Sequence, residues 1–232
     1  MNSIFLNNTK TYSFSTRDEL IDFALQEKKI LVAINAEKIL KNDEKLKKII
    51  NENVGYTDGV GAVWAMKQKG FKQTIKIPGV ELWLTIVKKF ENSKSFYFVG
   101  SSDEVINSTI EKLKLNFPNL KILNFRNGFI RTDEEREALK NDIVAKKPDV
   151  VFIAMGTPKQ EFLMDELHTA HPALYQGLGG SFDVYSGKVK RAPKIFIKLG
   201  VEWLYRLLKE PTRFKRQLVL IKFFLRFLIG KI

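Results

Sequence analysis

The sequence predicts an α/β fold, with a mainly parallel sheet covered by helices on both faces and a basic helical appendage behind it. Three observations carry this expectation. Short apolar runs alternate with helical patterns of roughly ten to fifteen residues, as strand–helix–strand units require. Glycine and asparagine gather just after those runs or at glycine turns, where a parallel sheet presents its ligand-binding end. Near residue 188 the composition turns from nearly neutral to strongly basic.

The elements follow in chain order. KKILVAIN (Lys28–Asn35) is a short apolar run ending in Asn, and a helical stretch continues through Ile50. YTDGVGAVWAM (Tyr56–Met66) sets Asp58 before a turn made by Gly59 and Gly61, and an apolar helical pattern begins behind it. SFYFVG (Ser95–Gly100) is a strand closed by Gly100. After it, Val105, Ile106, Ile110 and Leu113 recur at helical spacing, with Ser101, Ser102 and Asp103 as cap candidates. LKILNF (Leu120–Phe125) is a further strand, and DEEREALKNDIVAKK a polar helix. DVVFIAMG (Asp149–Gly156) is a fully apolar strand, and the PKQEFLMDEL helix after it starts with Pro158 in its first turn. Leu174–Leu178 supplies a short strand before Gly179 and Gly180. This order reads as a Rossmann-like sheet.

The 232 residues suit an α/β body over 1–187 and an appendage over 188–232. Apolar content of 44% supports a packed core, and zero cysteines exclude disulfides, a thiol nucleophile and thiolate metal sites. MNSIFLNNTK has no basic segment leading into an apolar one, so no secretory signal is expected. A membrane span is not expected either, since no run of about 18 uncharged apolar residues occurs. Of the net charge of +13, the segment from Lys188 onward carries +11, with 13 Lys or Arg against Glu202 and Glu210. An anionic partner for that tail follows. Pro211 separates two expected helices, and in the second Leu218, Ile221, Leu225 and Leu228 form one stripe interrupted by Lys222 and Arg226. This pattern suits a helix lying in an anionic membrane interface or, alternatively, one packed at a subunit contact.

Several residues invite chemistry. Asp58 reads equally as a helix cap or as a general base in an open cleft. In GTPKQE, the backbone at Gly156 and Pro158 could hold phosphate, with Gln160 and Glu161 facing the ligand, although both also read as ordinary first-turn residues. Gly179 and Gly180 allow close backbone approach, but neither they nor Gly59–Gly61 have the GxGxxG spacing of a dinucleotide site, and no Walker A motif is present. His168 and His171 read as surface residues at a helix end, and Trp64 and Trp83 as core or cleft-wall aromatics. No metal site and no DxD element are expected.

TDGVG, IPG (Ile77–Gly79), FVG, GTPKQE, GGSFDVYSGKVKRAP and EWLYRLLKEPTR occur in this order, and the set closely resembles the WecG/TagA/CpsF glycosyltransferases, glycosyltransferase family 26. The resemblance runs from about Lys29 to the end of the chain. It implies an inverting, metal-independent enzyme without cofactor that moves N-acetylmannosamine, its uronic acid or a related hexose from a UDP-sugar to an undecaprenyl-diphosphate-linked sugar. Surface polysaccharide or teichoic acid synthesis would be the setting, at the cytoplasmic face of the plasma membrane, with the appendage docking there and closing the active site. By the same resemblance Asp58 is the base, Gln160 binds the donor, and Asn35 lines the pocket with the glycine turns. Arg191, Arg206 and Arg213 match the appendage cations, of which one or more would meet a diphosphate. Ala33 stands where the family often has Thr, which removes a pocket hydroxyl. An apolar tail off the membrane would favour self-association. The competing reading is a basic α/β protein that binds membrane or nucleic acid without transferase activity, although interleaved Phe and Leu are atypical of nucleic-acid arms.

Overall fold

A computed structural model of the chain describes residues 2–198, 202–209 and 214–232. Its centre is a six-stranded, all-parallel sheet in the order β4-β3-β8-β7-β5-β6. The strands are β3 (Ile30–Ile34), β4 (Val54–Thr57), β5 (Ser95–Gly100), β6 (Lys121–Arg126), β7 (Val150–Ala154) and β8 (Leu174–Gly177). Every residue of β5 and β7 is buried, which is why these two runs lack polar alternation. An antiparallel hairpin of β1 (Ser3–Leu6) and β2 (Thr9–Tyr12) precedes the sheet.

Two apolar layers enclose the sheet. On one face α1 (Arg17–Gln26), α5 (Gly79–Phe90), α6 (Asp103–Asn116) and α9 (Ser181–Ser186) bury Leu20, Trp83, Ile110 and Phe182. On the other, α2 (Ala36–Leu40), α3 (Glu44–Glu52), α4 (Val60–Gln68), α7 (Asp133–Lys146) and α8 (Lys159–Ala170) bury Ile39, Ile50, Met66, Ile143 and Met164. Because β5 leads to the first face and β7 to the second, the connections part at the C-terminal ends of the central strands. Such a parting opens the crevice where parallel sheets bind ligands.

Local chemistry explains where the helices begin. Ser102, one of the three cap candidates, accepts the Val105 N–H and caps α6. The stretch read as one helix through Ile50 is two, because the Asp43 side chain accepts the Leu46 N–H and starts α3 afresh. Pro158 caps α8 rather than standing in its first turn. Trp83 lies in the core, whereas Trp64 is 48% exposed and packs at a tilt against Phe227. His168 and His171 meet the backbone oxygens of Lys28 and Pro148 at the end of α8.

Beyond the sheet come α10 (Lys194–Lys198), α11 (Glu202–Lys209) and α12 (Phe214–Leu228). Pro211, the expected break, lies outside the described residues. The helix α12 returns to the body and packs on α2 and α4, burying Phe223. A Cβ on Gly61 would stand 2.9 Å from the Phe223 ring, so only glycine permits this approach. The opposite stripe of Leu218, Ile221, Leu225 and Leu228 is exposed. Among the described residues no helix is long and apolar enough to cross a membrane.

Candidate active site

Several of the sequence-predicted residues lie at the C-terminal edge of the sheet, Asn35 and Asp58 among them. Ile34 of β3 pairs with Thr57 of β4, so Asn35 and Asp58 emerge side by side from neighbouring strands. Asn35 caps α2 by accepting the Lys38 N–H at 3.0 Å. Gly59, the cap position of α4, lies so near that its Cβ would be 3.3 Å from that of Asn35.

Asp58 is no cap of α4, which starts without any side-chain cap. Its Oδ1 instead accepts the Gly79 N–H at 2.7 Å, the first amide of α5, 21 residues away. Its second oxygen takes no hydrogen bond among the described residues. Burial pushes the Asp58 pKa up; the Gly79 N–H and the charges of Lys38 and Lys76 oppose this without cancelling it, and Glu202 of α11 adds to the rise. A carboxylate raised in this way, with one oxygen fixed and one available, can accept a proton. Buried Gln176 of β8 donates to Tyr56 Oη and to the Gly79 carbonyl, both at 3.4 Å, and so bonds the same residue whose N–H holds Asp58.

Gln160 and Glu161 do not face an open pocket; both are buried. Gln160 Oε1 accepts the N–H groups of Gly156 at 3.1 Å and Gly179 at 2.9 Å, tying the β7 and β8 loops together. Those two amides are thus occupied rather than offered to a phosphate. The glycines remain necessary, since Gly156 and Gly179 have φ of +76° and +56° and a Cβ on either would meet open space. Glu161 Oε1 receives Lys38 Nζ at 2.8 Å together with Thr157 Oγ1 and Gln160 Nε2, both at 3.1 Å. Burial alone would raise the Glu161 pKa, and Lys38 together with the Gln160 and Thr157 bonds outweighs it so that the net shift is downward.

Gly100 closes β5 against Ala154, whose carbonyl would be 2.4 Å from a Cβ there, so its role is packing of the crevice floor. Gly180 opens α9 beside Asp183. Arg191 bonds Glu81, in the first turn of α5. Arg213 and the side chain of Arg206 lie outside the described residues. Among the described residues no group of three or more His, Asp or Glu side chains converges as a metal site would need. Lys38, Lys76 and Gln176 were not singled out from the sequence. Lys76 stands directly before IPG, the one local signal that could have marked it.

This end of the sheet brings together the Asp58 carboxylate with its raised pKa and two loops clasped by Gln160, and the first turn of α5 that holds Asp58 also holds Arg191 of the tail through Glu81. One comparison gives it a setting: the description Glycosyl transferase WecG/TagA/CpsF family matches residues 8–232, nearly the whole chain. This chain belongs to that family and is an enzyme that transfers a sugar.

Proposed function

We propose that the chain is an inverting, metal-independent transferase that takes a sugar from UDP and places it on an undecaprenyl-diphosphate-linked acceptor. The donor sugar would be N-acetylmannosamine, its uronic acid or a related hexose. The observation that carries this reading is the Asp58 carboxylate at the end of β4, held through Oδ1 and raised in pKa. Asp58 removes the acceptor hydroxyl proton as that oxygen bonds to the anomeric carbon. The bond from that carbon to the UDP oxygen breaks, and UDP leaves with the electron pair. One base on the acceptor side suffices for inversion.

Asn35, Gly59 and Gly61 form the acceptor-side wall in this reading. Gln160, through Gly156 and Gly179, shapes the donor side, with Gly100, Pro158, Glu161 and Gly180 as the frame behind it. The leaving diphosphate carries charge that Arg side chains compensate well because they bind phosphate in bidentate fashion. Arg191, Arg206 and Arg213 are the proposed sources.

The division into a catalytic body over 1–187 and an appendage over 188–232 belongs to the same proposal. The exposed stripe on α12, flanked by exposed Lys222, fits peripheral binding to an anionic membrane at its cytoplasmic face. There the enzyme meets an acceptor that cannot leave the bilayer, in teichoic acid or surface polysaccharide synthesis.

The direct test combines purified enzyme, a panel of UDP-sugars and a polyprenyl-diphosphate-GlcNAc acceptor, with EDTA present. Turnover of one donor with inverted configuration is expected. Transfer that stops with EDTA and resumes with a divalent ion would refute metal independence, and no turnover of any UDP-sugar would refute the donor class.

A further inference from the structure

One carboxylate joins the tail to the body. Glu81, in the first turn of α5, accepts Arg191 Nη2 on Oε1 at 2.7 Å and Arg17 Nη2 on Oε2. Arg17 is the first residue of α1, and Arg191 belongs to the KVKRAP segment that leads from α9 into the tail. Two guanidinium groups around one carboxylate leave a net positive charge. Partial burial would raise the Glu81 pKa, but the bonds from Arg191 and Arg17 overcome it and hold the carboxylate ionised below its usual range.

Both arginines engage Glu81 through a single nitrogen. Arg191 Nε is buried and has no hydrogen-bond partner, so the fork is only partly used. A guanidinium fork matches two oxygens in one plane, as a carboxylate or phosphate presents them. The backbone on either side of Arg191 is anchored: the Val189 N–H donates to the Asp183 carbonyl, and Ala192 is buried. Two residues before Glu81, the Gly79 N–H holds Asp58. The first turn of α5 therefore fixes both the carboxylate of the candidate site and the cation of the tail.

We propose that Glu81 is a positioning residue for sugar transfer, holding Arg17 and Arg191 as a two-cation seat whose remaining donors receive a diphosphate. Arg17 thereby joins the anion-binding groups although it lies far from the tail in sequence. Without the shared carboxylate the two like charges repel, and both long side chains recover their rotamer freedom before an anion arrives. The inference rests on the reading that the site handles a phosphate-bearing donor, and it deepens that reading by naming what orients the cations.

Inorganic pyrophosphate is the probe, titrated calorimetrically into the full chain and into Glu81→Ala, Glu81→Asp, Arg191→Ala and the Glu81→Ala/Arg191→Ala double variant. Glu81→Ala and Arg191→Ala should each weaken pyrophosphate binding by on the order of tenfold. The double variant should bind more weakly than Arg191→Ala, since Arg17 is then released as well, but by less than the product of the two single losses, and Glu81→Asp should recover most of the loss. In the transfer assay Glu81→Ala should raise the donor KM more than it lowers kcat. Melting curves identify any variant that fails to fold, in which case Glu81→Gln, close in shape, takes its place. Binding as tight as wild type or tighter in Glu81→Ala, or losses that multiply in the double variant, would overturn the proposal. If the pyrophosphate pattern holds while no UDP-sugar is turned over, the donor assignment fails and the anion seat stands.

Discussion

Replacing Lys38 by Met removes a buried ammonium and strands the carboxylate it neutralises. Lys38 Nζ sits 2.8 Å from Glu161 Oε1, with the two side chains 6% and 1% exposed. Deleting one partner of such a pair costs about 3–5 kcal/mol, because the survivor is a buried charge without compensation. Thr157 and Gln160 still donate to Oε1 in the variant, which favours the lower end, about 3 kcal/mol. In a chain of this size that lowers the melting midpoint by roughly 6–12 °C. The pH dependence should reverse. In the native protein the Glu161 pKa is lowered, so its stabilisation is present above the unfolded carboxylate value and lost as pH falls through the folded one. In Lys38→Met only the Thr157 and Gln160 bonds oppose burial, the folded pKa exceeds the unfolded one, and the penalty is relieved as pH falls through it. Urea unfolding followed by tryptophan fluorescence at pH 7.5 and 5.5 reads both effects. A gap to wild type under about 1 kcal/mol at pH 7.5, or an equal gap at both pH values, would refute the reasoning.

Four further outcomes are expected. Asp58→Asn should lower kcat by about 10²–10⁴-fold with UDP-sugar binding retained, as loss of a general base predicts; near-normal turnover would remove Asp58 from that role. The same variant should melt higher at neutral pH, since a raised folded pKa means stability present below the unfolded value and lost as pH rises through the folded one. Gly61→Ala drives a methyl into the Phe223 ring, an overpacking of about 1–3 kcal/mol that α12 can escape by lifting off; limited proteolysis should cut the tail faster, and unchanged protection would contradict this. Deleting Thr212–Ile232 should abolish vesicle binding and most activity, and full activity on lipid-linked acceptor would show the tail to be dispensable.

The sheet was legible wherever a strand is buried on both faces, because Phe96–Val99 and Val150–Ile153 are apolar without interruption. The hairpin β1–β2 and the short β4 were not, since SIFL, TKTY and VGYT are only four residues each and lack a clean period. At the site, the turn positions of Asn35 and Gly156 followed from strand ends, and that of Asp58 from its glycine turn. The partners of those residues did not. Asp58 bonds an amide 21 residues on, and Lys38 reaches Glu161 across 123. Pairings at such separations are decided by which strands become neighbours, and no local spacing encodes that. Gln160 shows the limit well: its place in the helix start was apparent, but not its inward turn to clasp two loops.

The seat of Phe223 on Gly61 has a thermodynamic consequence. Gly61 follows Asp58 by three residues, so the tail and the pocket share a wall. Linkage is reciprocal: a ligand that binds better with α12 seated must tighten that seating by the same factor. A bilayer that draws α12 outward would therefore alter affinity in a pocket it never touches, and pocket occupancy would in turn be felt at the lipid surface.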